Sequence, residues 1–407
     1  MSSKFSKQFL MMSLVAAALV SCEVLDDDSS KINTPSAKVD VRLDQVARIL
    51  SEVPLDASHL GEVHSAVMSS SGNGYDEEYT MADLFEAPGR GVGESKTATK
   101  AREKEYDNPL RDLIEQHVRF AAATKSSAWG ISDPDEFLEA LTSSDIQIYW
   151  PFSESWDGST MPVVTFDPED GAEVNVGYRL MVHDDGSRHV EEVIVDEEMA
   201  MQVPVWVVNR NSDAEHTSLE LMRREDPNWG TGGGTIIVNP GTKAQSTKSS
   251  KSLILRNFTM NRNYDSWFAG GSEFFVKVGC VDDFTAATEA ELKLYNPKVT
   301  DFMIVVKRSQ LGEPITYDTL LISDWNEQMS HCAFMITEDD GGTRTEWKTT
   351  ALVRIKSMSY GVEINFPLNI FDDIVWRGQL SQRWLEANSG YSGSFGDLDL
   401  TFEVVEY

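Results

Sequence analysis

The chain has 407 residues, with 66 Asp and Glu against 35 Lys and Arg, and a formal net charge of −31. That balance argues against a nucleic-acid partner, because neutralising phosphates takes Lys and Arg gathered on one face. At 41% hydrophobic and 10% aromatic the sequence is no disordered acidic polymer, and its length calls for two or three folded units.

In chain order, Lys4 and Lys7 precede an apolar run from Phe9 to Val20. Such a run suits the core of a signal peptide and is too short to cross a bilayer. It ends in Leu19-Val20-Ser21-Cys22, which resembles the lipobox of bacterial lipoproteins. The resemblance implies removal of residues 1–21, acylation of Cys22 with palmitate among the chains, and membrane attachment through that lipid. The next residues, Glu23-Val24-Leu25-Asp26-Asp27-Asp28-Ser29-Ser30, resemble the export signal of surface-exposed Bacteroidota lipoproteins. They imply an outer-membrane lipoprotein facing the cell exterior. The alternative is a solvated tether that faces the periplasm, its acids repelled by anionic headgroups.

Residues 22–40 read as a lipidated acidic leash. A helical region plus a small antiparallel β-sheet is expected over 41–225. Val41 to Val53 and then Leu60, Val63 and Val67 repeat at helical spacing. Glu86 to Lys104 is Gly-rich and charged, the mark of an exposed loop. Asn108-Pro109 and Asp133-Pro134-Asp135-Glu136 look like helix starts, each with a cap residue followed by proline. Beyond residue 145 the period changes to two, with strands at Ile146–Trp150, Val174–Val182 and Val203–Val207. Residues 226–252 hold Gly230-Thr231-Gly232-Gly233-Gly234 and read as a linker. From 253 to 407 eight short strands indicate an antiparallel β-sandwich, which resembles C2-type sandwiches in architecture. The fold class is therefore α+β, multidomain.

No motif names a reaction. The glycines at 230–234 lack the Lys-Ser/Thr and the helix that a phosphate loop needs. Ser394 in Gly393-Ser394-Phe395-Gly396 has Ser392 where a nucleophile elbow has glycine. His183 and His189 flank the turn Asp184-Asp185-Gly186 and can face each other across a hairpin, which reads as a chance pairing. Cys280 and Cys332 each share a strand face with apolar residues, so both thiols point into a core and a disulfide between them is expected in an oxidising compartment.

Two candidate sites remain. Asp282, Asp283, Glu338, Asp339, Asp340, Asp372 and Asp373 sit near strand ends, where sandwich loops gather the six to eight oxygens that calcium takes; ordinary turn chemistry is the competing reading. Trp150, Trp156, Trp267 and Trp325 stand beside polar residues and are candidate ligand-binding aromatics, for a glycan or a protein. The phrases Gly72-Asn73-Gly74-Tyr75-Asp76-Glu77-Glu78-Tyr79 and Trp267-Phe268-Ala269-Gly270-Gly271-Ser272-Glu273-Phe274 resemble phrases of uncharacterised Bacteroidota lipoproteins, which implies no activity. The leading expectation is a non-catalytic, lipid-anchored binding or assembly module. A carboxylate-dependent hydrolase and a calcium-stabilised structural module are the alternatives. A deep cleft lined by three carboxylates and a histidine would favour the hydrolase.

Overall fold

The computed structural model describes residues 39–86, 106–124, 130–183, 185–211, 216–225, 251–281 and 284–406. The signal peptide, Cys22, nearly all of the leash, the loop at 87–105, the linker up to residue 250, Asp184, Asp282 and Asp283 lie outside the described residues. Among the described residues no helix is long and apolar enough to cross a membrane.

The amino half opens with α1 (Leu43–Glu52) and α2 (Ala57–Gly72), followed by β1 (Glu78–Thr80), α3 (Met81–Phe85), α4 (Leu110–Ala123) and α5 (Pro134–Thr142). The expected start of α5 holds, since Asp133 accepts from the backbone N–H of Asp135 and Glu136. The start of α4 is built differently. Its first N–H, at Leu110, donates to Glu62 Oε2 of α2 at 2.7 Å, and Asn108 turns instead to His59 Nε2. A partner 48 residues away caps this helix.

Next come β2 (Ile146–Tyr149), β3 (Val163–Phe166), β4 (Val174–Val182), β5 (Arg188–Asp196), α6 (Glu197–Ala200), β6 (Val205–Arg210) and α7 (Leu219–Glu225). These strands and β1 make one sheet in the order β1-β2-β6-β3-β4-β5. It is larger than expected and mixed, because β3 and β6 run parallel. Alternation then sorts its side chains. Ile146, Ile148, Val164, Trp206 and Val208 face the helices, whereas Tyr149, Val163, Val205 and Val207 face the other way.

The carboxy half contains β7 (Lys251–Met260), β8 (Ser272–Cys280), α8 (Glu289–Leu292), β9 (Lys298–Val306), β10 (Ile315–Ile322) and β11 (Met329–Glu338). It continues with β12 (Arg344–Ile355), β13 (Met358–Asn369), β14 (Asp373–Ser381), α9 (Gln382–Ala387), β15 (Ser392–Phe395) and β16 (Leu398–Glu406). One sheet runs β10-β7-β16-β15. The other runs β13-β12-β11-β8-β9, with β14 also paired to β11. Leu255, Phe258, Leu400 and Phe402 of the first share a buried core with Phe274, Val276, Phe334 and Ile336 of the second. The β12–β13 ribbon folds back over the outer side of the second sheet, where Ile364 and Phe366 cover Ala333 and Met335.

The two halves are joined by the two phrases singled out above. Trp267 and Phe268, on the β7–β8 loop, insert into the outer face of the amino-half sheet against Tyr149, Val163 and Val207. Burying those two rings stabilises by about 3–6 kcal/mol. Gly271 N–H donates to Asp76 Oδ2 at 2.7 Å, so one phrase ends on the other. Gly270 has φ +142°, and a Cβ there would meet Asp76 Oδ2, so this approach requires glycine. Arg308, 6% exposed, adds a two-pronged pair to Glu197 and donates to Asp265 O. Residues Val39–Tyr407 accordingly form one compact unit.

Candidate functional site

At one end of the sandwich β11 is flanked by β8 and β14. Register places Glu338 beside Phe274 on one side and Asp373 on the other, and Asp339 N–H donates to Glu273 O. The series Cys332, Phe334, Ile336 points into the core, and the next residue in that alternation is Glu338. A carboxylate thus occupies a position where the strand's period calls for an apolar side chain. Asp265 reaches the same point from the β7–β8 loop, which the Arg308 bond to its carbonyl and the buried Trp267 hold in place. One oxygen each of Asp265, Glu273 and Glu338 lies within 4.8 Å of the other two.

Glu338 is fully buried, and no protein donor reaches either of its oxygens. Its neighbour is another carboxyl, Asp265. Two carboxyls bond only when one of them carries a proton, so burial and then that bond push Glu338 up to about 12. Burial raises Asp265 as well. Asp340 is pushed up to about 6 by burial and by Asp265. Carboxyls this close repel one another, and Glu338 has no donor to offset its burial, the condition that a proton or a metal ion relieves. Oxygens on opposite sides of a calcium ion stand about 4.8 Å apart, so the spacing fits a hard divalent cation.

On the outer side of the same strand end is a cleft of about 540 Å³ between β8–β9 and the base of the β12–β13 ribbon. Asp301, Asp339, Asp372, His216 and Lys277 line it, so it contains the three carboxylates and the histidine set out above for a hydrolase. Its acids are largely committed to turns. Asp339 Oδ1 accepts from Gly341 N and Asn369 Nδ2, and Asp372 Oδ2 accepts from Asn369 N. Burial pushes Asp372 up to about 6, helped by a bond to Asp339. Lys277 is almost fully buried, donates to Thr337 Oγ1, and is lowered by desolvation.

The structure brings together Glu338, Asp339, Asp340, Asp372 and Asp373 of the expected acidic set and adds Asp265 and Glu273; Asp282 and Asp283 lie outside the described residues. It corrects the aromatic set. Trp150, Trp267 and Trp325 are 1–2% exposed and packed in cores, with the indole N–H of Trp267 on Glu173 O and that of Trp325 on Met329 O; of the three, Trp150 borders a small pocket, which it shares with Trp156. Trp156 is partly exposed, packs against His64 and Trp150, and borders a small pocket. The accessible aromatics are elsewhere. Trp376, Trp384 (40% exposed) and Phe395 wall a cleft of about 430 Å³ that also holds Gln379, Ser381 and Ser394.

Cys280 and Cys332 stand opposite each other in the β8–β11 register, as their shared core face requires. No disulfide joins them. Both are buried thiols, and Cys332 Sγ is turned to Leu380 O on β14 at 3.7 Å. Burial and then the neighbouring Cys280 raise the Cys332 thiol, leaving it a packing group rather than a nucleophile. Comparison of the chain with protein-family models, with curated proteins and with solved structures finds no match.

Proposed function

We propose that this chain is a lipid-anchored cell-envelope binding module whose sandwich end is fastened by a calcium-type cation held by Asp265, Glu273 and Glu338. The observation that carries the reading is Glu338, wholly buried, without a donor, and facing two further carboxylates. The cation would join the β7–β8 loop to the ends of β8 and β11. It would thereby secure the loop whose aromatic pair connects the halves. Exposed aromatic and hydrogen-bonding groups around Trp376 and Trp384 suit a glycan or protein ligand.

The test is thermal unfolding of the detergent-solubilised chain in calcium and in chelator. A cation present at a hundred times its Kd stabilises by about 2.7 kcal/mol, so a higher midpoint in calcium is expected, and Glu338→Gln should abolish the rise. An unchanged midpoint overturns the calcium reading. A glycan array with Trp384→Ala as control tests the ligand surface, and silence across it removes sugars. The lipid anchor has its own test, the mass of the mature amino terminus. A second reading, a carboxylate-dependent hydrolase, is favoured by Asp339, Asp372 and His216 in the 540 Å³ cleft. It ranks behind because the backbone and Asn369 already claim one oxygen of each aspartate, which leaves Asp372 Oδ1 and the Asp339 Oδ2 beside His216 to do the chemistry.

A further inference from the structure

The β4–β5 hairpin forms the free edge of the amino-half sheet and closes at residues 183–187, where His183 N–H donates to Ser187 O. Met181 is opposite His189 in the ladder, so His183 and His189 are not a register pair. Their rings nevertheless meet, with His183 Nε2 and His189 Nδ1 only 2.7 Å apart. The ring planes differ by 15° and the centroids are 4.7 Å apart. Rings in face contact keep their atoms about 3.5 Å apart. The rings lie nearly parallel, and a nitrogen separation of 2.7 Å, closer than face contact allows, means that they are offset so that a ring nitrogen of each is brought against the other. A contact that short is a hydrogen bond when one ring donates and the other accepts, and both side chains are exposed.

We propose that this pair is a two-imidazole chelate for a late first-row divalent metal, Cu²⁺ foremost, with Ni²⁺ and Zn²⁺ weaker. Neutral imidazole nitrogen is a preferred donor for these ions, whereas calcium and magnesium take oxygen. Metal–nitrogen bonds of about 2.05 Å place two nitrogens about 2.9 Å apart in a square plane and about 3.3 Å apart in a tetrahedron. The nitrogens need to part by only about 0.2–0.6 Å, and χ rotations of the two exposed side chains must also swing both lone pairs toward a common point. On binding, the ring that donates in the pair shifts its N–H to its other nitrogen, so both rings bind as neutral imidazole and no net proton is released. The remaining metal positions face solvent, open to water or to a donor from another molecule. His59 and His64 offer no comparable site. His59 is buried and accepts from Asp56 N at the start of α2, while His64 bonds Ser153 O and packs between Trp150 and Trp156.

The test is titration of the detergent-solubilised chain with Cu²⁺ in 5 mM calcium, followed by calorimetry and by the copper electron-spin spectrum. One equivalent bound, with couplings to two imidazole nitrogens, is expected. His183→Ala and His189→Ala should each weaken binding at least about tenfold, because each turns a chelate into a single bond. The double variant should lose the two-nitrogen spectrum while keeping its circular dichroism and melting midpoint, since both side chains are exposed. Unchanged affinity in the double variant, or no copper uptake by the parent chain, overturns the proposal. Calcium is present throughout and does not compete for nitrogen, so failure here leaves the Glu338 reading intact, and the reverse also holds.

Discussion

Two groups of buried acids share this fold and are accommodated in opposite ways. In the amino half Glu62, Asp76, Glu77 and Glu78 are all buried, and each accepts from a donor. Glu62 takes Tyr79 OH and Leu110 N; Asp76 takes Gly271 N; Glu77 takes Ser153 N and Oγ; Glu78 takes Asn211 Nδ2. At the sandwich end Glu338 is as deeply buried and has only other carboxyls beside it. Donors built in beside a buried carboxylate offset part of the cost of its charge; without them it takes a proton or a cation.

The contrast can be broken most forcefully at Glu62. Glu62→Leu strands the Tyr79 hydroxyl and the first N–H of α4, and a loss of about 3 kcal/mol is expected in urea unfolding. The same change at the other group should have the opposite sign. In chelator, Glu338→Leu removes a donorless buried acid and should gain about 1–2 kcal/mol, while in calcium it should lose the cation's contribution. If both leucine variants destabilise equally in chelator, the distinction fails.

Glu77 sharpens the comparison, because it has donors and is still pushed up to about 8 by burial, by Asp76 and by a bond to Glu154. Its folded value is above the unfolded 4.5, so its contribution is complete below about pH 4.5 and is lost as pH rises toward 8. Glu77→Gln should flatten that decline, by about 3 kcal/mol in the difference between pH 5 and pH 8 unfolding curves. The smallest effect is expected at Asp56, an exposed acid whose donors are Ser58 N and His59 N at the start of α2. Asp56→Ala should cost about 1 kcal/mol, with no dependence on calcium.

What the sequence revealed and what it hid follow from where the determining contacts lie. The helices α1, α2 and α5 and the strand β16 are legible because their own periodicity is that of the faces they bury, and β8 and β11, covered on both sides, are legible as short apolar runs. β1, β3 and β15 are three or four residues long, and β14 has a single buried residue, so each is defined by its ladder partners rather than by its own pattern. Trp267 looked like a surface aromatic because it sits among Asp, Ser and Gly, but its partners are Tyr149, Val163 and Val207 in another sheet. The acidic site was half legible. Turn acids at 338–340 and 372–373 were visible, whereas Asp265 and Glu273 join them only through the register of β8 on β11 and the path of the β7–β8 loop. The readable clue to Glu338 itself was a glutamate continuing the Cys332-Phe334-Ile336 alternation.

The bond from Gly271 to Asp76 spans 195 positions of the chain, which gives this fold a long wait built into its birth. Ribosomes add about 5–20 residues each second, so the segment around Asp76 emerges roughly 10–40 s before the glycine that completes it. For the last part of that interval, the roughly 3–12 s between Val207 and Trp267, one face of the amino-half sheet lacks its aromatic cover and exposes Val163, Val205 and Val207. A newly made chain in that state is a natural client for holding chaperones, and a nonsense mutation upstream of Trp267 should leave a sticky, aggregation-prone fragment rather than a working half.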